Sequence, residues 1–164
     1  MKDYADRHSP VRHRSVRHRS VRANAIHNRT VPRTVGRILL GAFLLLAGIS
    51  HLTVSRVAFR AQVPPWLPLD ADLVVVVSGI VEIALGLSLI LLVRRQPIVG
   101  VVAAVFFLLV LPGNISQLVT HTDSFGLNTD LSRGIRLLFQ PLLVLWALWS
   151  TGAWTAIHNR RRQA

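Results

Sequence analysis

The sequence has no cysteine. Disulfides, cysteine-ligated zinc, iron–sulfur clusters and thiol–disulfide exchange by this chain are thereby excluded. Acidic residues are scarce: there are seven, and Glu82 is the only glutamate. Charged residues amount to 16% of the 164, against about a quarter in a soluble domain. What is abundant is apolar mass and arginine. Hydrophobic residues make up 51%, the mean hydropathy is +0.46, and the formal net charge is +12. Such a charge suits an anionic surface, either lipid or nucleic acid.

The charge is unevenly placed. Ten of the 19 basic residues lie in the first 37 positions. There the repeat Val-Arg-His-Arg-Ser recurs between residues 8 and 22. With little apolar side chain to bury, residues 1–36 are expected to be a disordered basic tail. Anionic lipid is its expected partner, each arginine near the surface contributing about 1 kcal/mol. Nucleic acid is not expected, because no aromatic residues accompany the repeat.

Four apolar segments follow, at about 38–55, 73–93, 98–120 and 137–157. Each has roughly the 20 residues that a helix needs to cross about 30 Å of hydrocarbon. The fold class expected is therefore all-α: a four-helix membrane domain over 37–157, ending in a basic tail over 158–164. The first segment is longer than a signal-peptide core and is expected to be retained. If the helices alternate, fifteen basic residues fall on one side and Arg56, Arg60, Arg133 and Arg136 on the other. That split puts both termini in the cytoplasm of a multi-pass protein of the bacterial cytoplasmic membrane.

Inside the membrane, ionisable and amide side chains mark function or glue between helices. Glu82 shares a helical stripe with Gly79 and Gly86, and His51 shares one with Gly41 and Gly48. Small residues mark close-packed faces, so both side chains are expected to point into the bundle. Asn114 and Gln117 lie on the third segment and Gln140 beside Pro141 on the fourth. Counting 1.5 Å per residue, all five fall in the outer half of the bilayer. Glu82, His51, Asn114, Gln117 and Gln140 are the candidate proton or ligand site, with Glu82 and His51 expected to interact. Pro112 leaves the Leu108 carbonyl without its helical donor beside this cluster. Arg56, Arg60 and Trp66, around the proline-rich first loop, are candidate interfacial contacts.

Four stretches carry a resemblance: Ala-Gly-Ile-Ser-His-Leu (47–52), Phe-Arg-Ala-Gln-Val-Pro-Pro-Trp-Leu-Pro (59–68), Ser-Gly-Ile-Val-Glu-Ile-Ala-Leu-Gly (78–86) and Leu-Pro-Gly-Asn-Ile (111–115). In their order and spacing, over about residues 37–154, the chain resembles the DoxX-like family of small bacterial membrane proteins. The resemblance implies a four-helix membrane bundle. It also implies a link to redox systems, since relatives include the membrane subunit of a thiosulfate:quinone oxidoreductase. Glu82, His51 and Asn114 are the positions it carries over.

The functional expectation is a membrane component of a redox or quinone-linked system. Quinone is the ligand class it would take, and a membrane or periplasmic oxidoreductase the partner. No catalysis by the chain alone and no metal site are expected, because the segments hold one histidine and no nucleotide fingerprint. The alternative is a non-catalytic scaffold, or a permease for small solutes or protons.

Overall fold

The computed structural model describes residues 13–123 and 129–162, with side chains from Val31 onward except at Arg160 and Arg161. All regular structure among them is helical. The elements are α1 (His13–Leu52), α2 (Arg56–Arg60), α3 (Ala71–Leu91), α4 (Gln96–Val119), α5 (Asp130–Ser150) and α6 (Ala153–Arg161), with a 3-10 turn over Val93–Arg95. The chain divides into two compact units, Met1–Pro32 and Arg33–Ala164. In the first, the basic repeat expected to be disordered is helical from His13 onward. Residues 13–31 contain no glycine or proline, and arginine is a good helix former. Residues 1–12 of that expected tail lie outside the described residues.

Four helices are long and apolar enough to cross a membrane: Val31–Leu52, Ala71–Leu91, Val93–Val119 and Asp130–Ser150. Their outward faces carry large apolar side chains, among them Leu46, Leu109 and Leu138, each about 70% exposed. A surface of that kind belongs against hydrocarbon. The chain thus has the four apolar helices of a membrane bundle. One end of the bundle carries Arg37, the 91–96 turn and Ser150, and is its terminal end. The other, with the connections 53–70 and 120–129, is the loop end.

The second span sits within two residues of its sequence-based bounds, the third begins five residues early, and the first begins at Val31 instead of 38. The fourth, expected at 137–157, runs from Asp130 to Ser150. Arg133 and Arg136 set the expected boundary, yet both charges are accommodated within the helix. Arg133, buried, donates from Nη1 to Asp130, from Nη2 to Asp123 at 2.5 Å, and from Nη2 to the His121 carbonyl. Arg136 Nη2 donates to Gln62 Oε1 at 2.7 Å. Thr129 starts α5 with a capping box completed by Ser132, satisfying two amide donors reciprocally. At the other end the chain turns through Thr151 and Gly152, whose φ of 72° is the left-handed region open to glycine. Residues 153–157, expected in the fourth span, begin α6 instead.

The helices pack through small residues. A Cβ on Gly41 would lie 2.9 Å from the Gly86 carbonyl oxygen, and one on Gly48 would lie 2.6 Å from that of Gly79. The two pairs have the same sum of residue numbers, so α1 and α3 are in antiparallel register along a glycine seam. α4 and α5 also pair extensively. Trp146 Nε1 donates to the Gly36 carbonyl at 2.9 Å and ties α5 to α1 near the terminal end. Leu40, Leu44, Leu85, Leu89, Ala103 and Phe107 form much of the core between these seams. At the terminal end the buried Arg37 donates to the Leu89 carbonyl at 2.5 Å. Gln96 Nε2 donates to the same oxygen and to the Leu92 carbonyl. Carbonyls left open at the end of α3 are thereby satisfied.

Candidate functional site

On antiparallel helices, side chains that lean toward their own N-termini lean toward each other. His51 leans from the end of α1 back over Ala47, and Glu82 leans from mid-α3 toward Gly79. They meet at the level of the Gly48–Gly79 crossing. His51 Nδ1 lies 3.0 Å from Glu82 Oε2, and both side chains are about nine-tenths buried. Gly79 is what permits this: a Cβ there would lie 2.9 Å from His51 Cβ and 3.0 Å from the Gly48 carbonyl oxygen.

The pair is close without being satisfied. His51 Nδ1 is also 2.8 Å from the Ala47 carbonyl oxygen. A carbonyl only accepts, so this approach requires the hydrogen on Nδ1 and directs it at Ala47. With the hydrogen turned to Ala47, the 3.0 Å approach to Glu82 does not amount to a hydrogen bond. Glu82 Oε2 is accordingly fully buried with no hydrogen-bond partner among the described residues. An orphaned carboxyl oxygen in low dielectric is costly unless something supplies the missing bond. The imidazole ring is fixed by Phe59 of α2, stacked on it at a centroid distance of 3.3 Å and an interplanar angle of 17°.

The pair lines a partly open cavity of about 640 Å³. Asn114 and Gln140 line it too. Asn114 Nδ2 donates to Gln140 Oε1 at 3.0 Å, and Gln140 Nε2 donates to the Phe107 carbonyl at 2.7 Å. These amides hold α4 to α5, and they are spent on each other rather than on the ionisable pair. Gln140 takes the carbonyl one residue before that of Leu108, which Pro112 leaves without its helical donor; α4 stays helical through Pro112. The earlier start of α5 also moves Gln140 about 15 Å along its helix, instead of about 5 Å, which brings it to mid-span. Phe43, Phe106, Phe107, Phe139 and Trp146 give the cavity an aromatic wall. The loop end of the cavity is formed by Gln62 and Arg136, bonded to one another.

The remaining sequence candidates lie apart. Gln117 donates to the Thr122 carbonyl at 3.2 Å and does not line the cavity, so it secures the end of α4. Arg56 Nε donates to Asp72 Oδ1 at 2.7 Å, joining α2 to the start of α3. This hydrogen bond, with the carboxylate's charge, raises the guanidinium pKa above its ordinary value. Arg60 is exposed on α2. Trp66 borders a second cavity of about 220 Å³ beneath the proline-rich loop, which His51, Phe59 and Asn114 also line.

Sequence reasoning missed Phe59, Gln62 and Arg136. Arg136 stands one helical turn before Gln140, with Leu143 and Ala147 continuing the stripe. Reading the helix from the Thr129 cap would have placed it on the inward face.

The arrangement is a deep, mostly apolar chamber of the size of a drug-like ligand site. It has one unsatisfied carboxyl oxygen and an imidazole at its wall. No match was found among curated proteins or among solved structures. Residues 40–151, which contain the whole cavity, match a family, and the chain belongs to it: Domain of unknown function (DUF8561).

Proposed function

We propose that this chain is a membrane component of a redox system in the bacterial cytoplasmic membrane, with both termini cytoplasmic, and that its cavity takes a quinone. The observation that carries this reading is the orphaned Glu82 Oε2 beside His51 in the wall of a largely apolar, aromatic-lined chamber. A quinone has a flat ring for the aromatic wall and polar oxygens for the few polar groups. Glu82 and His51 are then the groups that exchange a proton with the ring oxygen, while a membrane or periplasmic oxidoreductase supplies or removes electrons. The resemblance to the DoxX-like family supports the same reading, as Glu82, His51 and Asn114 are the positions it carries over. Orientation rests on the sequence distribution of the basic residues: fifteen lie before the first span, between the second and third, or after the fourth, against four in the other two connections and their flanks.

The experiment is organic extraction of protein purified in a mild detergent, followed by mass spectrometry. The expected result is about one quinone per chain, reduced in Glu82→Leu and His51→Leu but retained in the interfacial variant Arg60→Ala. Protein free of quinone that also binds none when decylubiquinone is added overturns the reading. A proton-coupled flux in liposomes without quinone would favour a permease instead.

A further inference from the structure

The cavity is partly open, and the exposure and levels of its lining residues tell where. The Trp146–Gly36 hydrogen bond fixes the antiparallel level of α5 against α1. Seven residues further along each helix, the same level pairs Phe43 with Phe139. The helix ends agree: Phe43 is about 14 Å from Leu52 and Phe139 about 14 Å from Asp130. Both rings line the cavity, and both are at least half exposed, Phe43 at 50% and Phe139 at 56%. A residue that lines a chamber and is also exposed at mid-span stands at its opening. Along that opening, Trp146 closes the gap toward the terminal end and the Arg136–Gln62 bond closes it toward the loop end.

We infer that the chamber opens sideways into the hydrocarbon between α1 and α5, and that its ligand is a single-tailed, lipid-soluble molecule whose ring lies toward Glu82 and whose alkyl tail leaves between Phe43 and Phe139. This rests on the proposed quinone reading and deepens it. The opening lies at a depth where only apolar matter is at hand, whereas the orphaned Glu82 Oε2 at the far wall calls for a polar group. A ligand with both ends meets both demands: the ring satisfies the carboxyl, and the tail keeps its contact with acyl chains.

The absence of cysteine makes the test clean, because one introduced thiol is unique. Phe139→Cys is labelled in detergent with benzyl methanethiosulfonate and reconstituted into lipid nanodiscs. Binding of decylubiquinone and of its tail-less, fully substituted analogue, 2,3-dimethoxy-5,6-dimethylbenzoquinone, is read by tryptophan quenching. Leu142→Cys, on the same helix, 56% exposed and outside the cavity lining, is the control. Should Phe139→Cys not fold, Ile135→Cys, one turn away and also lining, replaces it. The label at 139 is expected to weaken the tailed quinone by about tenfold, as loss of burial of two methylenes would. It should leave the tail-less quinone unchanged, and reduction should restore binding. The label at 142 should change neither. Unchanged binding of the tailed quinone, or equal weakening of both, overturns the sideways opening while the quinone site stands. Failure of the unlabelled protein to bind either quinone removes both.

Discussion

His51 Nδ1 stands 3.0 Å from Glu82 Oε2, yet its hydrogen serves the Ala47 carbonyl at 2.8 Å. The two side chains are neighbours with one hydrogen too few between three groups. Replacing either by leucine puts an apolar group where the other now has a polar neighbour at 3.0 Å, at a cost of about 1–3 kcal/mol. Glu82→Leu and His51→Leu are each expected to lower thermal stability in detergent, and the double variant to recover part of the loss. Strictly additive losses would mean that the two residues are not coupled. Glu82→Gln should fold, because an amide still offers hydrogen bonds, and should lose proton-linked function.

The glycine seam sets where that pair can meet. A Cβ on Gly48 would lie 2.6 Å from the Gly79 carbonyl, a backbone atom that cannot swing away. Gly48→Ala and Gly79→Ala are therefore expected to part α1 from α3, destabilising the protein by about 1–3 kcal/mol through overpacking. Ile49→Ala, at an exposed position beside the seam, should have a much smaller effect. Thermal melts of the three variants in one detergent check this.

The amide clamp between α4 and α5 makes a separate prediction. Gln140→Leu leaves Asn114 Nδ2 and the Phe107 carbonyl without the partner they have now. A loss of about 1–3 kcal/mol is expected, with part recovered in the Asn114→Leu/Gln140→Leu double variant. Gln117→Leu should leave quinone binding unchanged, since that side chain serves the Thr122 carbonyl outside the cavity. Stability and binding measured on the same preparations separate the two roles.

Much of this fold was legible in the sequence. Apolar segments of membrane-crossing length gave the helix count, and small residues spaced along helical stripes turned Glu82 and His51 toward one another. The start of α5 was not legible, because Arg133 and Arg136 look like water-facing charges. Their partners Asp123, Asp130 and Gln62 come from other turns or elements that periodicity alone does not bring together. The same holds for Phe59: nothing in a short loop helix announces that its ring will stack on His51. The amides were legible as a set but not in their pairing, since the level of Gln140 depended on where α5 begins.

Orientation has its own test. With the basic residues split fifteen to four along the sequence if the four spans alternate, alkaline phosphatase fused after Ala164 should be inactive and a cytoplasmic reporter there active. Deleting residues 2–30 should leave insertion intact, because Arg33, Arg37, Arg94 and Arg95 keep the bias. Active phosphatase at Ala164 would invert or break the four-span topology.

The most direct measurement uses the fact that Glu82 is the only glutamate in the chain. Carbon-13 at the glutamate δ-carboxyl gives one side-chain resonance, which reports on the orphaned oxygen itself. Two responses are expected in a mild detergent: a change in that resonance in His51→Leu, and a saturable change in the unsubstituted protein as decylubiquinone is added. A resonance indifferent to both the His51 substitution and the quinone would contradict the assignment of Glu82 and His51 as the polar end of a quinone site.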